Sequence, residues 1–347
     1  MRLRISRRAA LPTAFVAAAA RVLLALSLEN AIPDNGLWIA AALGSLLALP
    51  PLAALDRFCG CDDGGAPLFP VPLALLLLAA SALDAGAVLS TMARSAGFLA
   101  TGGAPLWSLV LPICAAILWG MLKNGDAIGY GATLWLWVFP ALLLLVVLLQ
   151  AEHFRPEWLR PILGKGWRSI ASNACRAAGC FAPASAIVML STRGHEHSRR
   201  RKRNTAVLSL AALAAAALLL PRLMMAPTNL LRDSWINRLD TLLTNGRAAL
   251  YLQLPMIVLW HISLLHLLLC EAFAAAALLQ RLVSGLDGRL CAALTTVCVG
   301  LVSCSPGVIA PWNTALAGWL YWAWVAAIVL CLPLKRRMKG GEKTCEA

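Results

Sequence analysis

Four ionisable side chains stand out inside apolar runs, where an unpartnered charge has no water to solvate it. Arg21 lies in VAAAARVLLAL, Asp84 in LAASALDAGAVL, and His261 and Glu271 in VLWHISLLHLLLCEAFAAAALL. At the centre of a membrane-spanning helix such a group costs about 3 kcal/mol or more, so it must face a partner or a polar cavity, and each is a candidate functional residue. The chemistry open to the set is charge pairing, recognition of a charged small molecule, or carriage of a proton. Arg21 and Asp84 have opposite signs and can pair across a bundle, and Asp84 is a candidate proton carrier. Arg21 alternatively snorkels to an interface. Glu271 falls near the end of a long apolar stretch, which favours a structural role.

Other chemistry finds little support. Of the five histidines, His195 and His197 form HEH within STRGHEHSRRRKRN, where neighbouring cations repel a metal ion. Cys59 and Cys61 in FCGCDDGG make half of a zinc site, with no second pair at suitable spacing. Cys114, Cys270, Cys291, Cys298 and Cys331 lie in apolar stretches and read as small hydrophobes. Cys175 and Cys180 stand close enough in sequence to pair, though spacing alone does not decide it. No HEXXH helix, nucleophile elbow or glycine-rich phosphate loop is present, so the sequence points to no enzyme and requires no cofactor or metal.

The elements that must position these groups follow from composition. Hydrophobic residues make up 60% of the 347-residue chain and charged residues 13%, and the mean hydropathy is +0.76. This is an all-α integral membrane composition. A hydrocarbon core takes about 20 residues of helix, and the sequence divides into ten such spans: 10–28, 37–55, 68–93, 104–122, 132–150, 174–191, 205–222, 249–280, 290–305 and 313–334. The first follows RLRISRR and reads as a retained helix rather than a leader. Residues 1–347 thus form one polytopic domain, with 1–9 and 335–347 as basic ends.

Lys and Arg set the expected orientation, because positive charge resists translocation. Arg2, Arg4, Arg7 and Arg8, the run from Arg193 to Arg203, and Lys335, Arg336, Arg337, Lys339 and Lys343 all fall on one side if both termini are cytoplasmic. Arg155, Arg160, Lys165, Arg168 and Arg176 would then lie outside, on an amphipathic segment hugging the membrane. The net charge of +14 lies beside spans without aromatic interleaving, so it implies anionic lipid and not nucleic acid as partner.

Several segments in order resemble the spore-germination permeases, the membrane-embedded B subunits of nutrient germinant receptors, within the amino acid/polyamine/organocation superfamily. They are ISRRAALPTAF at 5–15, GLWIAAALGSLLALPPL at 36–52, LKNGDAIGYGATLWLWVFPALLLLVVLL at 122–149, EWLRPILGKGWRSIASNA at 157–174 and NGRAALYLQLPMIVLWHISLLHLLL at 245–269. The resemblance spans about 5 to 330. It implies two inverted five-helix repeats, as in LeuT-like permeases, and a small-nutrient site near the midplane between interrupted helices one and six. The residues placed there are Ala20 and Arg21 on helix one, Asp84 on helix three, Gly179, Phe181 and Pro183 in GCFAPAS on helix six, and Trp260 and His261 on helix eight.

Three departures stand beside the resemblance. Helix one has no glycine from Ala17 to Leu26, no acidic residue lies near the helix-six break, and Tyr130 replaces a basic residue at the start of helix five. The resemblance leaves three functions open: a receptor subunit of the spore inner membrane working with a soluble-domain membrane subunit and a lipoprotein, a proton- or sodium-coupled amino acid transporter, or a permease-like scaffold that binds no substrate.

Overall fold

A computed structural model describes residues 3, 5–28, 35–55, 71–100, 105–123, 125–150, 154–190, 196–224, 247–283, 285–311 and 317–342. The described residues form helices joined by turns: α1 (Arg7–Leu28), α2 (Leu37–Leu47), α3 (Leu49–Leu55), α4 (Val71–Ala100), α5 (Leu106–Lys123), α6 (Gly125–Gln150), α7 (Trp167–Gly179), α8 (Phe181–Leu190), α9 (Glu196–Met224), α10 (Arg247–Leu282), α11 (Gly288–Ser303), α12 (Pro306–Pro311) and α13 (Ala317–Glu342). Taking α2 with α3 and α7 with α8 as single broken spans gives the ten expected spans, with α12 a short connector before the last. Five of them contain segments long and apolar enough to cross a bilayer: Arg8–Leu26, Leu37–Leu55, Val71–Arg94, Leu106–Lys123 and His261–Leu282. The protein is multi-pass and embedded in the membrane.

Packing partners reveal an internal relation between the two halves. Span one rests on span five (α1 on α6), and span six rests on span ten (α7 on α13). Span three packs on nine and span eight on four (α4 on α11, α10 on α5), while two meets seven and three meets eight (α2 on α9, α4 on α10). Adding five to each span number exchanges the first pair of contacts with each other, does the same for the second pair, and returns the contacts of two with seven and of three with eight to themselves. Because five crossings is an odd number, the second repeat enters from the opposite face, and the repeats are inverted.

Alanine and glycine allow the close crossings on which this packing rests, since lipid offers no hydrophobic drive between helices. A Cβ on Gly44 of α2 would sit 2.5 Å from the Ala174 carbonyl oxygen and 2.5 Å from Ala177 Cβ of α7. α1 is buried along nearly its whole length, with Ala17, Ala18, Val22, Leu23 and Leu26 each at most 1% exposed. α5, α6, α11 and α13 instead present large apolar side chains outward, among them Trp107, Leu111, Leu134, Trp137, Leu301 and Leu330. Exposed apolar surface of that extent is the lipid-facing wall.

The basic segment before helix six takes a shape different from expectation. Pro156–Leu159 is a short 3₁₀ turn, and the helix begins at Trp167, earlier than 174. Ile170, Asn173, Ala174, Ala177 and Ala178 form its buried face, while Arg155, Arg160, Lys165 and Arg168 are exposed. The amphipathic character read from the sequence therefore belongs to the first half of span six itself. Asn35 Nδ2 donates to the Trp158 and Arg160 carbonyls at 3.3 Å each, tying the entry of α2 to this segment.

Gly44→Val should lower the thermal unfolding temperature of the detergent-purified protein, at a cost of about 1–3 kcal/mol for overpacking a backbone crossing. Gly307→Ala, where a new Cβ meets nothing within 4 Å, should leave it unchanged. Equal melting of all three proteins in a fluorescence-monitored scan would remove the α2–α7 crossing from the packing described.

Candidate functional site

α1 carries Arg21 into the centre of the bundle, where the alanines at 17 to 20 leave room for neighbouring helices. Arg21 is 3% exposed, Asp84 2% and Glu271 1%, in helices whose other buried side chains are overwhelmingly apolar. The Arg21 Nε donates to Asp84 Oδ2 at 2.8 Å, and a terminal guanidinium nitrogen of Arg21 meets Asp84 Oδ1. Both carboxylate oxygens of Asp84 thus face the guanidinium fork, the geometry that gives an arginine–carboxylate pair its strength and direction. The pairing expected from opposite charges is present, and snorkelling of Arg21 is excluded by its burial.

Glu271 joins this pair from α10, lying beside Asp84 and within electrostatic reach of Arg21. Its Oε2 is buried with no hydrogen-bond partner among the described residues. The placement corrects the reading of Glu271 as a residue near a helix end. Glu271 is eleven residues from the end of α10 and 1% exposed, inside the described stretch His261–Leu282 that is long and apolar enough to cross the membrane. Two carboxylates and one guanidinium from three different spans therefore share one water-poor site, with one negative charge in excess if all are ionised. Ser81 lies one turn before Asp84, on the same face of α4, and its buried hydroxyl also has no partner among the described residues.

Span six contributes the nearby interruption. α7 ends at Gly179, Cys180 is a turn, and α8 starts at Phe181, inside the expected window of 179–185. Pro183 has no N–H, so the Gly179 carbonyl cannot receive its helical bond from that position, and the ladder fails there. The break is shallow, because Cys180 keeps helical dihedrals (φ −62, ψ −16) and its N–H still reaches the Arg176 carbonyl at 3.3 Å. Cys180 lies within electrostatic reach of Arg21, which brings the break to the charged cluster. Its Sγ contacts the Arg176 carbonyl at 3.3 Å, and no disulfide joins it to Cys175.

Helix one differs from the expectation of an interruption. α1 runs unbroken from Arg7 to Leu28, since the Ala-rich stretch has high helix propensity and no glycine to relax it. Ala20, Gly179, Phe181 and Pro183 are all buried around this region. His261 is ten residues from Glu271 on the same helix, about 15 Å along its axis, and so stands outside the cluster. Trp260 is on α10, with its side chain outside the described residues. Cys59, Cys61, His153 and His195 also lie outside them, as does the side chain of His197.

Residues 70–303 match the family described as spore germination protein. The chain belongs to that family. No curated protein matches it in sequence. In fold this spore germination family member is similar to Mhp1, a nucleobase–cation–symport-1 family transporter solved in a closed conformation with bromovinylhydantoin bound, at 14% identity and a TM-score of 0.63, covering 96% of this chain and 80% of that one. It is also similar to the Eremococcus coleocola manganese transporter, solved in complex with an aromatic bis-isothiourea substituted compound, at 16% identity and a TM-score of 0.58, covering 93% and 74%. Both are transporters, and the shared architecture is the LeuT-like inverted-repeat permease fold.

Removing one partner of the buried pair should cost more than removing both. Arg21→Met is expected to destabilise by about 3–5 kcal/mol, and Asp84→Leu added to it should recover a large part of the loss. A double-mutant cycle of thermal unfolding in detergent reads the coupling, and additive effects would show that the two side chains do not act as a pair.

Proposed function

We propose that the protein is the membrane-embedded subunit of a spore nutrient germinant receptor, sensing a small nutrient such as an amino acid in the middle of the bundle. The observation that carries the reading is the Arg21–Asp84–Glu271 cluster, set beside the span-six break in a chain of the spore germination family. A zwitterionic amino acid is the class of ligand that suits it. A ligand carboxylate competes with Asp84 for the Arg21 guanidinium, while its ammonium group compensates the carboxylates released, so the exchange conserves charge. The unpartnered Ser81 hydroxyl and Glu271 Oε2 are further groups able to contact a polar ligand.

Such binding signals only if the ligand prefers one conformation of the bundle, since equal affinity for two states shifts nothing. In this reading the chain sits in the inner membrane of the spore with both termini cytoplasmic, and it relays the bound state to a membrane subunit with soluble domains and to a lipoprotein. The basic ends would also meet anionic lipid. A second reading, a proton- or sodium-coupled amino acid transporter, is favoured by the transporter fold of its structural relatives. A third, a scaffold that binds no substrate, is favoured by the unbroken α1, which offers no unwound backbone to a ligand.

Spores lacking the gene, together with uptake of radiolabelled amino acids by the purified protein in liposomes, separate these readings. Loss of nutrient germination with no uptake is the result expected. Normal germination with gradient-driven uptake would establish a transporter, and normal germination with neither binding nor uptake a scaffold. Asp84→Asn should abolish nutrient response while the protein stays in the membrane, because Glu271 remains to balance Arg21. An unchanged response would take Asp84 out of the site.

A further inference from the structure

Among the buried polar groups of the described residues, Glu271 is the one whose charge the surrounding structure does not account for. Asp84 already engages Arg21 with both of its oxygens. The second carboxylate, 1% exposed, lies beside that pair, and its Oε2 receives no hydrogen bond among the described residues. The groups that act on Glu271 are Asp84 from α4 and Arg21 from α1, with Cys270 adjacent on its own helix. The other described titratable side chains on helices packed against α10, which are Arg8 of α1, Arg94 of α4, Cys114 and Lys123 of α5, Tyr130 of α6 and Arg289, Cys291 and Cys298 of α11, do not act on it, and α8 has none. Two buried carboxylates face one guanidinium, and a single further positive charge brings the set to neutrality.

We propose that this charge is a proton bound reversibly by Glu271 and shared with Asp84, which makes Glu271, and not Asp84, the proton-carrying residue of the bundle. A metal cation suits the site poorly, because α1, α4 and α10 run as unbroken helices through Arg21, Asp84 and Glu271. Their backbone carbonyls are committed to helical bonds, and the span-six break adds only the Gly179 carbonyl nearby, whereas ion sites in inverted-repeat permeases draw on several unwound carbonyls. A proton needs only the two carboxylates. In the step, a hydronium ion gives one proton to Glu271 Oε2, forming an O–H bond and leaving water. The new O–H donates to Asp84, Asp84 keeps its salt bridge to Arg21, and release reverses the transfer without oxidation or reduction. Gain or loss of the proton changes how firmly Asp84 holds Arg21, and so links pH to the point where α1, α4, α10 and the span-six break meet. The assignment deepens the function proposed above, in which the same cluster meets the ligand, but its test needs neither spores nor ligand.

The test is infrared difference spectroscopy of the purified full-length protein in lipid nanodiscs, titrated from mildly acidic to mildly alkaline pH. The expected result is a carboxylic acid C=O band that moves on labelling with ¹³C-glutamate, does not move on labelling with ¹³C-aspartate, and is lost in Glu271→Gln. In Asp84→Asn the band should be lost over the same pH range, because Glu271 then stays ionised to balance Arg21. Should Glu271→Gln fail the thermal-unfolding check for a folded protein, Glu271→Asp replaces it, and the band should then move with aspartate labelling. Absence of the band in the wild-type protein, its survival in folded Glu271→Gln, or its continued response to glutamate labelling in Glu271→Asp would overturn the proposal. None of these outcomes depends on the germination phenotype, so failure here is distinguishable from failure of the receptor reading.

Discussion

Burying one guanidinium in an apolar bundle is the constraint that organises this molecule. Arg21 has no route to water from the middle of α1, and an unpaired charge there would cost more than any single packing contact supplies. Asp84 meets it with a two-pronged contact, which fixes the relative rotation of α1 and α4: turning either helix by one residue would carry its charged group off the shared face. Glu271 then fixes the rotation of α10 in the same way. Three spans are thereby set about one point, and the small side chains around it, above all the alanines preceding Arg21, let the helices come close enough for the contact to form.

Much of this was legible in the sequence because lipid imposes a coarse code. Apolar runs of spanning length are marked by the breaks between them, and opposite charges stranded in two such runs suggest a pair, as Arg21 and Asp84 proved to be. Glu271 was harder to place because 249–280 reads as one continuous apolar stretch, longer than a bilayer requires. The more apolar second half of that stretch, which contains CEAFAAAALL, is buried in the bundle, and Glu271 goes with it. The shallow break at Cys180 was locatable from Gly179 and Pro183, whose effect on the backbone is local. The absence of a break in α1 agreed with its missing glycines, while the family likeness pulled the other way, and there local propensity prevailed.

The start of span six was less readable for a different reason. Hydropathy looks for stretches that are apolar all round, and Trp167–Gly179 is apolar only on the side that meets α2. Its arginines made it resemble a loop or a surface segment. In the structure those residues begin a helix that is half wall and half solvent-facing surface, and the backbone crossing at Gly44 holds it against α2. The convergence of Cys180 on the Arg21 cluster was beyond sequence reasoning, since it depends on how the two repeats are stacked and not on any spacing within one of them.

The contrast between α1 and its counterpart across the pseudo-two-fold has a mechanical consequence. Geometrically the halves correspond, yet span one is a continuous rod and span six is jointed at Cys180. Two equivalent positions therefore differ in bending stiffness, and a stress applied at the central cluster deflects the compliant member while the stiff one transmits it along its length. Symmetry of form is joined here to asymmetry of compliance within one repeated architecture.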